Sequence, residues 1–206
     1  MPVIYYDLYK PISGSAGEID RQENSIGREL LIRGLSDLYG LPYSAKENVP
    51  RILFGQNGKP YLPDHPDIFF NITHCRGLVA CAFHSAPIGI DAEHTGYFPE
   101  ILIKRALSSE EQEYLAACST SESLRQDRFW RFWTLKEAYF KRSGVGVDTD
   151  LKQVSFDLCT IGTASRFFPV PCSDPGVSCH QMMFGNGYLI SVCTDPSADE
   201  ITMIRF

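Results

Sequence analysis

Two long helical patterns set among short strands constrain the fold of this chain more than any other feature. Apolar residues recur at helical spacing over about 20–39, and a longer helix is predicted over about 124–142, ending at Gly144. Strand-like segments come before, between and after these helices, at 3–8, 68–72, 78–84, 87–93 and in the stretch from 150 onward. The order of strand, helix, strands, helices and strands predicts an α+β chain with two lobes.

Local signals place several element boundaries. Pro42 lies just beyond the first helix, where a helix is expected to have ended. Ser108 and Glu111 stand three residues apart and predict a capping box at the start of a further helix. The segment 84–87 predicts a hairpin connection between the strands at 78–84 and 87–93.

Composition excludes several classes of protein. The chain of 206 residues is 44% apolar and 21% charged, as ordinary globular proteins are. No apolar run approaches the roughly 20 residues that span a bilayer, and the first residues lack the pattern of a signal peptide, so we expect a cytoplasmic protein without a membrane partner. A net charge of −6 argues against nucleic acid as a partner. Seven cysteines without a Cys-x-x-Cys pair indicate reduced thiols rather than disulfides or structural zinc.

The strand at 87–93 has two chemically different faces. Side chains alternate along a strand, so Ile88 and Ile90 point to one face and Asp91 and Glu93 to the other, beside Gly89. Two carboxylates with open positions suit Mg²⁺, which takes one or two carboxylates together with phosphate oxygens and water. A half-exposed strand with its acids in solvent is the alternative interpretation.

The segment 125–142, which makes up nearly all of the second predicted helix, is rich in aromatic and basic residues. It carries a local charge of +4, whereas the rest of the chain carries −10. Glu137 and Lys141 lie one turn apart on the same stripe, in the favourable order for an ion pair. This pair is consistent with an ordinary surface contact, and equally with a metal ligand beside a phosphate contact.

The segment 69–75 contains three residues with possible chemistry. Thr73 and His74 follow a strand and are able to donate hydrogen bonds to a phosphate, although a lone histidine is more often structural. His74 and Cys75 also raise the possibility of a Cys-His hydrolase. Neighbours in sequence rarely face each other as such a pair requires.

Taken in order, four segments resemble the 4′-phosphopantetheinyl transferase superfamily. They are Gly58-Lys59-Pro60, Phe70-Asn71-Ile72-Thr73-His74, Ile88-Gly89-Ile90-Asp91-Ala92-Glu93 and the stretch from Trp133 to Lys141. The pattern of predicted helices, strands and turns around them resembles the long, surfactin-synthetase-activating (Sfp-like) branch. The resemblance implies an enzyme that transfers the 4′-phosphopantetheine arm of coenzyme A to a serine of an apo acyl or peptidyl carrier protein and releases 3′,5′-ADP. A catalytically inactive member that binds coenzyme A or a carrier protein is the alternative.

The resemblance also implies roles for individual residues. Asp91, Glu93 and Glu137 would hold Mg²⁺, and Glu137 and Lys141 would be the catalytic pair, with Lys141 on the phosphates and Glu137 helping to deprotonate the serine. The nucleotide end of coenzyme A would be bound by Lys59, Pro60, Thr73 and His74, and by Arg21 and Arg28 as the least securely aligned positions.

The architecture that the resemblance implies is a pseudo-twofold pair of similar α/β lobes. The lobes would comprise residues 1–97 and 98–206, with the active site in the cleft between them. Because one chain would supply both sides of the site, a monomer is expected.

Overall fold

The computed structural model describes residues 1–118, 121–146, 150–159, 166–185, 187–196 and 200–206. The α-helices in these ranges are α1 (Ala16–Tyr39), α2 (Ile101–Ala106), α3 (Ser109–Ala117) and α4 (Glu122–Ser143), and Leu151–Gln153 forms a short 3₁₀ helix. The strands are β1 (Val3–Leu8), β2 (Leu53–Phe54), β3 (Pro60–Tyr61), β4 (Phe69–Cys75), β5 (Leu78–His84), β6 (Gly89–His94), β7 (Phe168–Val170), β8 (Ser178–Phe184), β9 (Tyr188–Thr194) and β10 (Thr202–Arg205). The predicted mixture of helices and strands is confirmed.

Two four-stranded sheets form the centre of the fold. The first has the order β10-β1-β5-β4 and the second the order β6-β9-β8-β7, while β2 and β3 form a small hairpin of their own. β10 runs parallel to β1, and the other pairs are antiparallel. Each large sheet therefore takes one strand from the far half of the chain, because β6 precedes residue 97 and β10 follows it.

The predicted hairpin between 78–84 and 87–93 is wrong. β5 and β6 belong to different sheets, and β6 pairs with β9, with Asp91 opposite Ser191. The reason is burial on both faces of β6. Ile88, Ile90 and Ala92 pack into an apolar cluster between the two sheets, and the opposite face of the strand lies against α4.

Apolar clusters hold four layers together. One lies between the two sheets, a second packs α1 against the outer face of the first sheet, and the third packs α4 and its neighbours against the second sheet. Leu30, Leu31 and Leu35 of α1 are fully buried, as their helical spacing predicts. β6 thus lies in the interior, with a sheet on one side and α4 on the other.

Capping residues fix the ends of the long helices. α1 begins at Ala16, earlier than its apolar pattern indicates, because Ser15 and Glu18 form a capping box in which the Ser15 N–H donates to the Glu18 carboxylate at 2.7 Å. The predicted capping box of Ser108 and Glu111 opens α3. α4 ends at Gly144, whose φ of 69° is the left-handed conformation that favours glycine. None of the helices in the described ranges is long and apolar enough to cross a membrane.

Candidate active site

The acidic face of β6 lies directly on α4. A Cβ atom on Gly89 would overlap the backbone of Ala138 and Arg142, so only glycine permits this approach. Asp91 and Glu93 follow Gly89 at intervals of two and therefore point toward the same helix. The predicted two-faced strand is correct, but its polar side faces α4 rather than solvent.

Lys141 of α4 joins the acidic face to β4. Its Nζ atom donates to Asp91 Oδ1 at 2.5 Å and lies 3.5 Å from Thr73 Oγ1. Burial would lower the pKa of Lys141, but Asp91, Glu137 and Glu93 around it raise the pKa on balance. Lys141 therefore remains an ammonium ion among carboxylates.

One oxygen of Asp91 has no hydrogen-bond partner. Asp91 is 5% exposed, and within the described part of the chain its Oδ2 atom is buried without a donor. A buried carboxylate oxygen without a partner is costly unless a ligand or ion satisfies it. The atom is thus available to coordinate a cation.

Two further carboxylates share this region. Burial raises the pKa of Glu93 to about 7, and the negative charge of Asp91 adds to the effect. The pKa of Glu137 is raised for the same two reasons, in the same order. Three carboxylates against one lysine leave an excess of negative charge, and oxygen ligands of this kind fit a hard divalent cation such as Mg²⁺.

The carboxylates of Asp91, Glu93 and Glu137 are not the tightest potential metal cluster. In the described ranges, the group of acidic, histidine or cysteine side chains whose ligand atoms all lie within 4.8 Å of one another is Asp20, Glu23 and His74. The carboxylates at the β6–α4 contact are not in that group. There, the ammonium of Lys141 lies against Asp91.

Asn71 and Thr73 connect the edge strands of the two sheets through their side chains. Asn71 Oδ1 accepts from the Ile90 N–H at 2.9 Å, and Thr73 Oγ1 accepts from the Ala92 N–H at 3.2 Å. Thr73 also donates to Asp91 Oδ1 at 3.3 Å. Sequence reasoning missed the role of Asn71, although polar residues two apart in an otherwise apolar strand were a usable signal.

Lys59 connects the β2–β3 hairpin to both elements of the site. Its Nζ atom donates to the carbonyl of Arg142 at 2.6 Å and to that of Ile88 at 3.0 Å. Burial lowers the pKa of Lys59 to about 8, and the charge of Arg142 contributes. Lys59 and Pro60, together with Glu137 and Lys141, line a cavity of about 200 Å³.

His74 lies on the other side of β4 from Thr73. Its Nδ1 atom is 2.8 Å from Glu23 Oε2, and the Tyr9 hydroxyl donates to Glu23 Oε1. His74 and Arg28 both line a separate cavity of about 590 Å³. Arg51, which sequence reasoning missed, lines it too, whereas Arg21 is exposed on α1 and is not among the described residues that do so.

Cys75 does not face His74. Its side chain packs into the apolar cluster between the sheets, and burial followed by Glu93 and Asp91 raises the pKa of its thiol well above the usual range. His74, one residue earlier in the strand, points to the opposite side and contacts Glu23. The Cys-His pair of a hydrolase is therefore not formed.

Comparisons with known sequences agree with these features. The sequence model of the 4′-phosphopantetheinyl transferase superfamily matches residues 87–193, just over half of the chain. The chain is 34% identical to 4′-phosphopantetheinyl transferase Sfp of Bacillus subtilis over 151 residues, which cover 72% of this chain but 66%, just under two thirds, of the relative.

Two other relatives match over a larger share of both chains. The 4′-phosphopantetheinyl transferase gsp of Aneurinibacillus migulanus is 31% identical over 85% of this chain and 69% of its own length. The 4′-phosphopantetheinyl transferase psf-1 of Bacillus pumilus is 28% identical over 88% of this chain and 75% of its own length. The resemblance to the Sfp-like branch is confirmed.

Proposed function

Because the chain belongs to the 4′-phosphopantetheinyl transferase superfamily, we propose that it transfers the 4′-phosphopantetheine arm of coenzyme A to a serine of an apo carrier protein and releases 3′,5′-ADP. The observation that carries this proposal is the contact of β6 with α4, which gathers Asp91, Glu93, Glu137 and Lys141. A transferase acting on a pyrophosphate needs this combination of metal ligands and a phosphate-binding cation.

Asp91, Glu93 and Glu137 are the residues that would hold Mg²⁺. The unpartnered Oδ2 atom of Asp91 and the raised pKa values of the two glutamates support this assignment, since all three groups are stabilised by a cation. Bound there, Mg²⁺ would neutralise charge on the pyrophosphate oxygens.

The chain's own residues would act on the serine and on the phosphates. The serine Oγ attacks the phosphorus that carries the pantetheine arm, and the bond from that phosphorus to the leaving 3′,5′-ADP breaks. The serine proton passes to the carboxylate of Glu137, directly or through water. The ammonium of Lys141 donates to Asp91 Oδ1 in this structure. In the reaction it would shift partly from that oxygen to the phosphate oxygens, where negative charge develops.

The nucleotide would lie along the edge of the first sheet, which β4 forms. His74 and Arg28 line the cavity of about 590 Å³ on the α1 side, together with Arg51, and this supports their proposed contact with the nucleotide end. Lys59, Pro60, Thr73 and Arg21 are proposed at this end as well. The ammonium of Lys59 and the hydroxyl of Thr73 already bond within the chain, so any contact with the nucleotide would be additional to these bonds.

A catalytically inactive member that binds coenzyme A or a carrier protein is the second candidate. It is disfavoured because Asp91 is buried and the charges of Glu93, Glu137 and Lys141 around it are partly buried, and such charges are costly to keep without a use. We also propose that residues 1–97 and 98–206 form two lobes, that the protein is a monomer and that it is located in the cytosol. Seven free cysteines support a cytosolic location. A monomer is supported because both sides of the site come from one chain.

The test is to mix the protein with coenzyme A, Mg²⁺ and a panel of apo carrier proteins, and to measure the mass of each carrier and the release of 3′,5′-ADP. We expect a mass increase on at least one carrier that disappears when the metal is chelated. Glu137→Gln should abolish transfer, whereas the exposed Glu47→Gln should not. Binding of coenzyme A without transfer to any carrier would favour the inactive member.

A further inference from the structure

Another cavity lies between the β2–β3 hairpin, the start of β4 and the end of α4. Its volume is about 440 Å³, which is within the range of small-molecule sites. The three carboxylates of the candidate metal site, Lys141 and His74 are not among the described residues that line it. It shares Lys59 and Pro60 with the cavity of about 200 Å³ but otherwise extends away from the candidate active site.

The wall of this cavity of about 440 Å³ is mostly apolar and rigid. It includes three prolines and two phenylalanines, which are Pro60, Pro66, Pro87, Phe69 and Phe70. Their rings offer flat surfaces with few rotatable bonds, and a flat, rigid ligand loses less conformational freedom on binding than a flexible chain does. The apolar part of the cavity therefore fits an aromatic ring system.

Two cations line the same cavity, whereas none of its lining residues in the described ranges is acidic. Lys59 donates to the carbonyls of Ile88 and Arg142, and it takes part in no salt bridge between residues that the structure describes. Burial, followed by the charge of Arg142, lowers the pKa of Lys59 to about 8, so at neutral pH it is mainly an ammonium ion.

Arg142 is the second cation. Its side chain is 18% exposed, and its Nη2 atom pairs with Asp195 Oδ1. Its Nε atom is buried and has no hydrogen-bond partner within the described part of the chain. One carboxylate for two cations leaves this region positive, although the net charge of the whole chain is −6.

We propose that this cavity is a second ligand site, which binds a small aromatic carboxylate with its ring on the prolines and phenylalanines and its carboxylate on Lys59 and Arg142. A guanidinium binds a carboxylate through charge-assisted hydrogen bonds, and Arg142 still has a buried donor without an acceptor. A single negative charge matches the one excess cation that Asp195 leaves. The inference does not rest on the proposed function, because binding here requires neither Mg²⁺ nor coenzyme A.

Calorimetric titration of the wild-type protein with two matched probes tests the proposal. 2-Naphthoate and 2-naphthamide share one ring system, and only the first carries a charge. We expect a single site with a dissociation constant for 2-naphthoate at least about tenfold below that for 2-naphthamide, since hydrogen bonds between charged groups are the stronger ones. 2-Naphthoate should still bind when coenzyme A is saturating.

Arg142→Gln removes one of the two cations and keeps a polar side chain. It should raise the dissociation constant of 2-naphthoate by about tenfold and leave that of 2-naphthamide nearly unchanged. Arg33→Gln is the matched control, because Arg33 also pairs with an aspartate, Asp37, but is not among the described residues that line this cavity. Thermal unfolding shows whether each variant folds, and if Arg142→Gln does not, the wild-type comparison of the two probes decides.

Four results would overturn the proposal. The first is the absence of 2-naphthoate binding at about 1 mM, and the second is equal affinity for both probes, which would mean that the charge is not recognised. The third is a folded Arg142→Gln variant with the wild-type affinity for 2-naphthoate. The fourth is complete displacement of 2-naphthoate by coenzyme A, which would mean that the cavity is part of the coenzyme A site.

Discussion

Gly89 on β6 and Ala138 on α4 are in backbone contact, so close that a methyl group on Gly89 would overlap the carbonyl oxygen of Ala138. The contact sets the distance between the strand and the helix. Asp91 and Glu93 continue along the strand from Gly89, and Glu137 and Lys141 flank Ala138 on the helix. The relative positions of these four charged groups therefore depend on this one approach.

Gly89→Ala should damage both stability and activity. Because the added methyl group meets backbone atoms that have no room to move, we expect unfolding to become easier by about 3 kcal/mol and transfer to fall sharply. Gly96→Ala is the matched control, since a Cβ there meets nothing within 4 Å. Chemical denaturation and the transfer assay measure the two effects, and near-normal values for Gly89→Ala would show that the helix is able to shift.

Asp91→Asn should abolish most metal-dependent activity while preserving the size of the side chain. An amide is a weaker ligand for a hard cation than a carboxylate, so kcat/KM should drop by about 100-fold or more, and the Mg²⁺ concentration for half-maximal rate should rise. The exposed Asp67→Asn is the control. A variant with an unchanged Mg²⁺ requirement would show that Asp91 is not a ligand.

Lys59 should contribute more to stability as the pH rises from about 8 to 10.5. Burial lowers the pKa of Lys59 to about 8 in the folded protein, against an ordinary value of 10.5, so between these values the unfolded chain binds more protons and stability rises with pH. The neutral amine still donates to the carbonyls of Ile88 and Arg142. The difference in free energy of unfolding between wild type and Lys59→Met should therefore widen over this range.

Urea denaturation at several pH values measures that difference. Lys46→Met, at an exposed lysine, should give a difference that is nearly independent of pH. A difference for Lys59→Met that shrinks above pH 8 would contradict the assignment.

Lys136→Met should destabilise the fold by about 3–5 kcal/mol because it leaves a buried carboxylate without its partner. Lys136 is fully buried, and its Nζ atom lies 2.8 Å from Glu111 Oε2 and donates to the carbonyls of Leu151 and Val154. Adding Glu111→Gln should recover part of the loss, since the uncompensated charge is removed. Thermal or urea unfolding measures the loss, and Lys104→Met on the exposed surface of α2 is the control. Equal losses of stability in Lys136→Met and Lys104→Met would refute the prediction.

Cys75→Ala should retain transferase activity. The thiol is buried, its pKa is raised and His74 points away from it, so it has no nucleophilic role. Treatment of the wild type with iodoacetamide should likewise leave the initial rate unchanged. A dead Cys75→Ala variant with a normal thermal unfolding profile would restore the hydrolase interpretation.

Local patterns predicted most elements of the fold. The helices around residues 20–39 and 124–142, the capping box of Ser108 and Glu111, and the strands at 3–8 and 78–84 follow from periodicity and capping, which depend on neighbouring residues alone. The pairing of β6 was not predictable in this way. Strand partners far apart in sequence are chosen by which apolar faces are buried together, and 84–87 resembles a hairpin turn although β6 pairs with β9.

The sequence by itself determined the family, the order of the motifs and the alternation that places Asp91 and Glu93 on one face of a strand. Only the tertiary structure decided what that face meets, because the contact requires Gly89 to lie against α4 and the side chains of Asn71 and Thr73 to bridge two sheets. It also decided that the imidazole of His74 contacts the carboxylate of Glu23. Glu23 lies 51 positions earlier in the chain, so no local spacing of residues predicts this contact. Charges far apart in the chain affect each other only once folding brings them within a few ångströms.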